Sequence, residues 1–183
     1  MKVTETSLAN VLIIEPSVYG DERGFFVETY QTERYREALG GSYEFVQDNH
    51  SRSRQGVLRG LHCQRNHPQG KLVRVARGTV FDVAADINPS SETFGQWVGV
   101  ELSDANGRQL WIPPGYVHGF VVLSEIADFE YKCTEYYHPD DELGIRWDDP
   151  TLGIKWPVDA PELSNKDQNN MMLSEYVEWL AES

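Results

Sequence analysis

Along most of the chain, apolar and polar residues alternate in short runs that Gly, Pro, Asn and Asp clusters interrupt. A period of two bounded by turn residues predicts strands rather than helices. Residues 11–15, 25–30, 43–51, 57–64, 71–77, 79–87, 96–102, 109–112, 117–123 and 128–135 read as strands, with 144–147 as one more. Turn chemistry falls at 19–24, at Pro68-Gln69-Gly70, at Gly78 and at Pro113-Pro114-Gly115. Asn106-Gly107 is a strong hairpin signal. Only two stretches have helical character. One runs from Thr32, a candidate N-cap, to Leu39 with Gly40 as its stop. The other covers 171–182, where Met172, Tyr176 and Leu180 recur at helical spacing and suggest packing. Many short strands and little helix predict an all-β sandwich or barrel. No repeat, low-complexity tract or linker divides it, so residues 1–183 are expected to form one domain. The irregular stretch 150–170 is expected to lie as a tail over the β core.

Alternation also sorts side chains by face. On 79–87, Asp82, Ala84 and Asp86 share one face and Val83, Ala85 and Ile87 the other. Two carboxylates are costly to bury without partners, so that face is either a polar interior opposite basic groups or solvated. On 128–135, Phe129, Tyr131 and Cys133 share a face and Lys132 takes the other. Tyr131 fits a proton donor or a core aromatic, and spacing alone favours core.

Composition narrows the functional classes. The formal net charge is -13, which disfavours general nucleic-acid or membrane-surface binding. Yet residues 49–81 contain no Asp or Glu and hold Arg52, Arg54, Arg59, Arg65, Lys71, Arg74 and Arg77, seven of the 16 basic residues. Such a zone suits an anionic ligand, although some of these side chains are expected to face outward and balance acids elsewhere. Two cysteines, Cys63 and Cys133, do not make a disulfide scaffold. No stretch has the length of a signal-peptide core or a membrane span. The expected location is therefore the cytoplasm.

Two of the five histidines, His62 and His118, sit in apolar strands near turn-bounded ends. Each alone reads as a core histidine; the pair suggests a site. Metal chemistry fits poorly. Gln64 stands where a second imidazole would complete a ligand pair after His62, Lys71 lies nearby, and His118 supplies one ligand only. Cys63 is a poor partner for His62, because adjacent strand residues point to opposite faces. No Gly-rich phosphate loop is present, so a phosphate would be held by side chains.

Pro113-Pro114-Gly115-Tyr116-Val117-His118 resembles the second signature of the cupin β-barrel. Four segments resemble the dTDP-4-dehydrorhamnose 3,5-epimerase family of cupins: 21–26 (Asp-Glu-Arg-Gly-Phe-Phe), 47–51 (Gln-Asp-Asn-His-Ser), 56–62 (Gly-Val-Leu-Arg-Gly-Leu-His) and 69–73 (Gln-Gly-Lys-Leu-Val). Residues 111–123, Tyr131-Lys132 and 163–167 continue the match over roughly residues 8–168. Cys63, where Tyr is more usual, the His67 segment and Asn165 depart from the pattern.

The resemblance implies a cupin-type jelly roll with short peripheral helices, working without a cofactor or metal. Its substrate would be dTDP-4-dehydro-6-deoxy-D-glucose, inverted at C3 and C5 to dTDP-4-dehydro-L-rhamnose. His62 resembles the base, Asp167 the carboxylate that orients it, Tyr131 the acid on the opposite face, and Lys71 the cation at the enolate oxygen. Arg23, Glu28, Gln47, Asn49, Arg59, His118, Glu142 and Lys166 match ligand contacts, Arg23 and Arg59 serving the diphosphate. Tyr137 matches the residue stacked on thymine. A homodimer is implied too. The rival readings are an epimerase acting at C3 or C5 alone, a non-catalytic sugar-nucleotide-binding jelly roll, and a metal-dependent cupin oxygenase.

Overall fold

The computed structural model describes residues 1–41 and 43–182. A six-stranded antiparallel sheet runs in the order β1 (Lys2–Glu5), β2 (Leu12–Glu15), β10 (Gln109–Ile112), β7 (Lys71–Arg77), β12 (Ile126–Cys133), β5 (Gln47–Arg54). A five-stranded antiparallel sheet faces it, in the order β13 (Glu142–Gly144), β6 (Leu58–Gln64), β11 (Tyr116–Val122), β8 (Thr79–Asp86), β9 (Trp97–Ser103). Between them pack Val73, Val75, Leu110, Ile112 and Phe129 of the first sheet and Val80, Ala84, Leu102, Phe120 and Val122 of the second. This is the expected cupin-type jelly roll.

The second sheet is also covered outside, and the first over part of its outer face, which explains the weak alternation of some strands. The outer face of the second sheet, with Leu61, Val83, Ala85 and Ile145, is buried under Leu152, Trp156, Met171 and Leu173 of the C-terminal segment. Full burial of one side chain such as Leu173 contributes about 1.5–3 kcal/mol, against about 0–1 kcal/mol for an exposed ion pair. Apolar contact therefore holds the tail. Helix α1 (Thr32–Ala38) covers Ile14, Leu72 and Trp111 on the first sheet through Tyr35. Its N-cap is Gln31, not Thr32: the Gln31 side chain accepts from the Arg34 amide at 2.7 Å. The stop at Gly40, φ 65°, lies where expected.

Several boundaries differ from the pattern. The strand expected over 43–51 starts only at Gln47, because Tyr43 and Phe45 instead pack on Trp111. That expected over 25–30 is β4 (Gly24–Val27), which pairs with β3 (Val18–Asp21) as a separate hairpin. Asn106-Gly107 does not close a hairpin. Asn106 Oδ1 accepts from the Ser103 and Arg108 amides and Gly107 takes φ 62°. The turn forms, but β9 pairs with β8 while β10 pairs with β2 and β7. Local chemistry specifies the bend; the sandwich decides the partners. Within the tail a short helix, α2 (Asn165–Gln168), interrupts what reads as irregular sequence. Helix α3 (Leu173–Glu182) follows. Among the described residues, no helix is long and apolar enough to cross a membrane.

Candidate active site

The site is built on a bulge. His118 of β11 pairs with His62 of β6, yet Phe120 pairs with Arg59. Gly60 and Leu61 thus oppose Gly119 alone, the two-against-one count of a β-bulge. Gly60 has φ 130°, and a Cβ there would meet the Gly119 Cα at 2.6 Å. Only glycine permits this approach. The consequence is functional. Arg59 and His62 are three positions apart and would face opposite ways on a regular strand, but both line one cavity.

That cavity measures about 530 Å³. It is lined by Arg59, His62, Lys71, His118, Tyr131, Tyr137, Glu142, Lys166 and Asp167, over apolar Leu58, Phe120 and Phe129. The two phenyl rings stack at 4.0 Å between centroids. The family resemblance groups these nine polar residues as site candidates, and the fold places all nine around one cavity.

His62 is the centre of the polar set. Its Nε2 donates to Asp167 Oδ1 at 2.5 Å. Asp167 is placed by α2, whose N-cap Ser164 accepts from the Asp167 amide and donates to Asp167 Oδ2 at 2.9 Å. This Ser-x-x-Asp arrangement supplies the serine half of a capping box, with the Asp167 carboxylate bound to the Ser164 hydroxyl rather than to its amide. Burial alone would raise the Asp167 carboxyl, but the His62 and Ser164 hydrogen bonds and Lys166 outweigh it and hold the group below its ordinary value. It is an ionised partner, which fixes the His62 tautomer and leaves Nδ1 as the nitrogen able to take a proton.

Tyr131 packs against the inter-sheet core and also lines the cavity. Burial pushes its phenol above the ordinary value, keeping it protonated at neutral pH. Glu142 accepts from Tyr137 Oη at 2.5 Å and pairs with Lys166 at 2.6 Å. Arg59 donates to Ser53 at 3.0 Å. His118 shares a 2.9 Å hydrogen bond with Asp82, which is fully buried. The face carrying Asp82 and Asp86 is therefore interior, not solvated, but its partners are an imidazole for Asp82 and the Ser91 and Thr93 hydroxyls for Asp86. Among the described residues, no group of three or more His, Cys, Asp or Glu is arranged to hold a metal ion. Cys63 packs on the opposite face of β6, in the apolar layer under the tail.

The dTDP-4-dehydrorhamnose 3,5-epimerase family model matches residues 5–175. The chain belongs to this family. The epimerase of Salmonella typhimurium is 59% identical over 169 residues, covering 91% of this chain and 92% of that protein. The crystal structure of the dTDP-6-deoxy-D-glucose-3,5-epimerase of Legionella pneumophila, in complex with dTDP-4-keto-L-rhamnose, superposes with a TM-score of 0.92 at 56% identity, covering 94% of this chain and 93% of that one. A more distant relative, the dTDP-4-dehydrorhamnose 3-epimerase of Streptomyces niveus, is 37% identical over 96% of this chain and 85% of its own length.

Four of the residues that match ligand contacts of the epimerase family lie outside the cavity. Arg23 sits at the tip of the β3–β4 hairpin, ion-paired with Asp21 and 89% exposed. Glu28 follows the hairpin and pairs with Arg34. Asn49 lines a separate cavity of about 350 Å³, and Gln47 donates to Asn49 while accepting from the Tyr137 amide at 2.9 Å. Gln47 thus braces the segment carrying Tyr137 from behind. The basic zone is dispersed as well: Arg59 and Lys71 reach the cavity, while Arg52, Arg54 and Arg74 pair with Asp128, Glu162 and Glu130, and Arg65 lies over Trp179. The pattern missed the Ser164 cap, although Ser-x-x-Asp was there to read, and the Asp82 partner of His118.

Proposed function

We propose that this member of the epimerase family converts dTDP-4-dehydro-6-deoxy-D-glucose to dTDP-4-dehydro-L-rhamnose by inverting C3 and C5 with the residues of this cavity. One observation carries the reading. A histidine tied to an ionised, buried carboxylate shares its cavity with a protonated phenol and an ammonium.

The hydrogens at C3 and C5 both flank the C4 ketone, and removal of either yields an enolate with its charge on one oxygen. His62 Nδ1 takes the proton, and Asp167 stabilises the imidazolium that forms. Lys71 supplies preorganised positive charge at the enolate oxygen. Tyr131 returns a proton from the opposite face, which inversion requires. Arg59 holds phosphate oxygens in a fork, and Tyr137 stacks on the base. No cofactor is called for by this sequence of proton transfers.

The same reading takes the chain as a homodimer. Tyr19, Phe25 and Phe26 of the β3–β4 hairpin are each more than 60% exposed, and a second copy would cover them. It would also give Arg23 and Glu28 a role, each reaching a cavity other than its own. The cytoplasm suits the two free cysteines.

The test is NMR of the substrate with purified protein in D₂O, without added cofactor or metal. Deuterium at both C3 and C5, with the L-rhamno product trapped by a reductase, is expected. Exchange at one carbon moves the chain to the single-position epimerases. Binding without exchange moves it to the sugar-nucleotide-binding reading.

A further inference from the structure

Two inversions on one sugar create a proton imbalance. In each, the proton leaves carbon for His62 Nδ1 while the C–H electron pair passes into the enolate. Tyr131 Oη then gives up its proton as the new C–H bond forms. The site is left with an imidazolium and a phenolate. A second inversion needs His62 neutral and Tyr131 protonated again.

The Asp167 side offers no exit. Asp167 is 4% exposed, and its second oxygen is taken by the Ser164 hydroxyl. The Nδ1 side is different. Glu142 Oε1 lies 3.7 Å from His62 Nδ1, a gap that one water or a small side-chain movement spans. Glu142 Oε2 meets Tyr137 Oη and Lys166 Nζ. The side chains of His62, Glu142 and Lys166 are 25%, 11% and 54% exposed, so the carboxylate links the half-buried imidazole to the ammonium at the cavity mouth. Its position is fixed from both sides. Strand β13 pairs Glu142 with Gln64 and Gly144 with His62, and the preceding Asp141 accepts from the Asn66 and His67 amides.

We propose that Glu142 is the relay that resets His62 between the two inversions, accepting the Nδ1 proton and passing it to water at the cavity mouth, while the Tyr131 phenolate takes a proton from water. The proposal rests on the reading of His62 as base and Tyr131 as acid. The charge state of Glu142 agrees with it. Burial would raise the carboxyl, but Lys166, Tyr137 and His62 together bring it below its ordinary value. It is thus empty at rest and holds an accepted proton only weakly.

The test follows deuterium at C3 and C5 over time in D₂O, for wild type, Glu142→Gln and Glu142→Ala. In Glu142→Gln, singly exchanged sugar is expected to accumulate ahead of doubly exchanged sugar, with kcat lowered about tenfold or more and KM little changed. Formate added to Glu142→Ala is expected to restore the second exchange, which a purely structural role would not allow. Equal slowing of both exchanges in Glu142→Gln, or no response of Glu142→Ala to formate, overturns the relay. Failure of wild type to exchange both carbons overturns the functional reading instead, whatever the variants do.

Discussion

Two imidazole–carboxylate pairs lie side by side in this protein and behave in opposite ways. His62 and His118 are register partners across β6 and β11. His62 binds Asp167 at 2.5 Å and His118 binds Asp82 at 2.9 Å. The pairs differ in depth of burial and in the second carboxylate oxygen. Asp167 Oδ2 accepts from Ser164, and the carboxyl falls below its ordinary value. Asp82 Oδ1 is fully buried and has no hydrogen-bond partner among the described residues. Burial raises its carboxyl despite the nearby charges of His118 and Lys71. An unpartnered buried polar atom costs about 1–3 kcal/mol. The same two functional groups thus make an orienting pair with a depressed carboxyl in one place and a buried pair with a raised carboxyl in the other. Which one results depends on depth of burial first and then on the number of partners, not on residue type.

The largest effect should come from breaking the first pair. Asp167→Asn removes the charge that fixes the His62 tautomer, and kcat/KM is expected to fall by about 10²–10⁴-fold, with dTDP binding measured by calorimetry little changed. Loss of nucleotide binding in parallel would mean that Asp167 supports the cavity rather than the base. A smaller and more selective effect is expected of Tyr131→Phe. Net inversion should drop by about 10²-fold or more while solvent deuterium still enters the sugar. Equal losses of exchange and inversion would remove Tyr131 from the opposite-face role.

The smallest effect concerns stability, and its sign separates the pairs. The Asp167 carboxyl is depressed in the folded protein. Its contribution is present above the unfolded value of about 3.9 and is lost as pH falls through the folded value. The Asp82 carboxyl is raised, so the folded protein holds its proton longer and stability declines as pH rises from about 4 toward the folded value. Thermal unfolding against pH should therefore show Asp167→Asn losing ground to wild type as pH rises through that region, and Asp82→Asn gaining. Shifts of the same sign in both variants would contradict the distinction.

Much of this architecture was readable in the sequence. β7 and β10 have the predicted ends, because β-branched and aromatic runs are closed off by Pro-Gln-Gly, Gly78 and Pro-Pro-Gly. What the pattern could not carry was long-range. Asn106-Gly107 specifies a turn but not the sheet its flanking strands join. Alternation assumes an unbroken strand, and the Gly60–Leu61 bulge breaks it at the point that brings Arg59 beside His62. Asp167 is 105 residues from His62, so spacing does not link the two; the resemblance to a family does. That resemblance also grouped Arg23 and Glu28 with the cavity, whereas within one chain both lie outside it.

The most direct measurement compares His62→Gln with His118→Gln in the same D₂O exchange experiment. If the His62–Asp167 pair is the base, His62→Gln loses exchange at both C3 and C5, whereas His118→Gln still exchanges both with weaker substrate binding. Exchange that survives His62→Gln, or that disappears only with His118→Gln, would contradict the assignment of the base and transfer it to the buried pair.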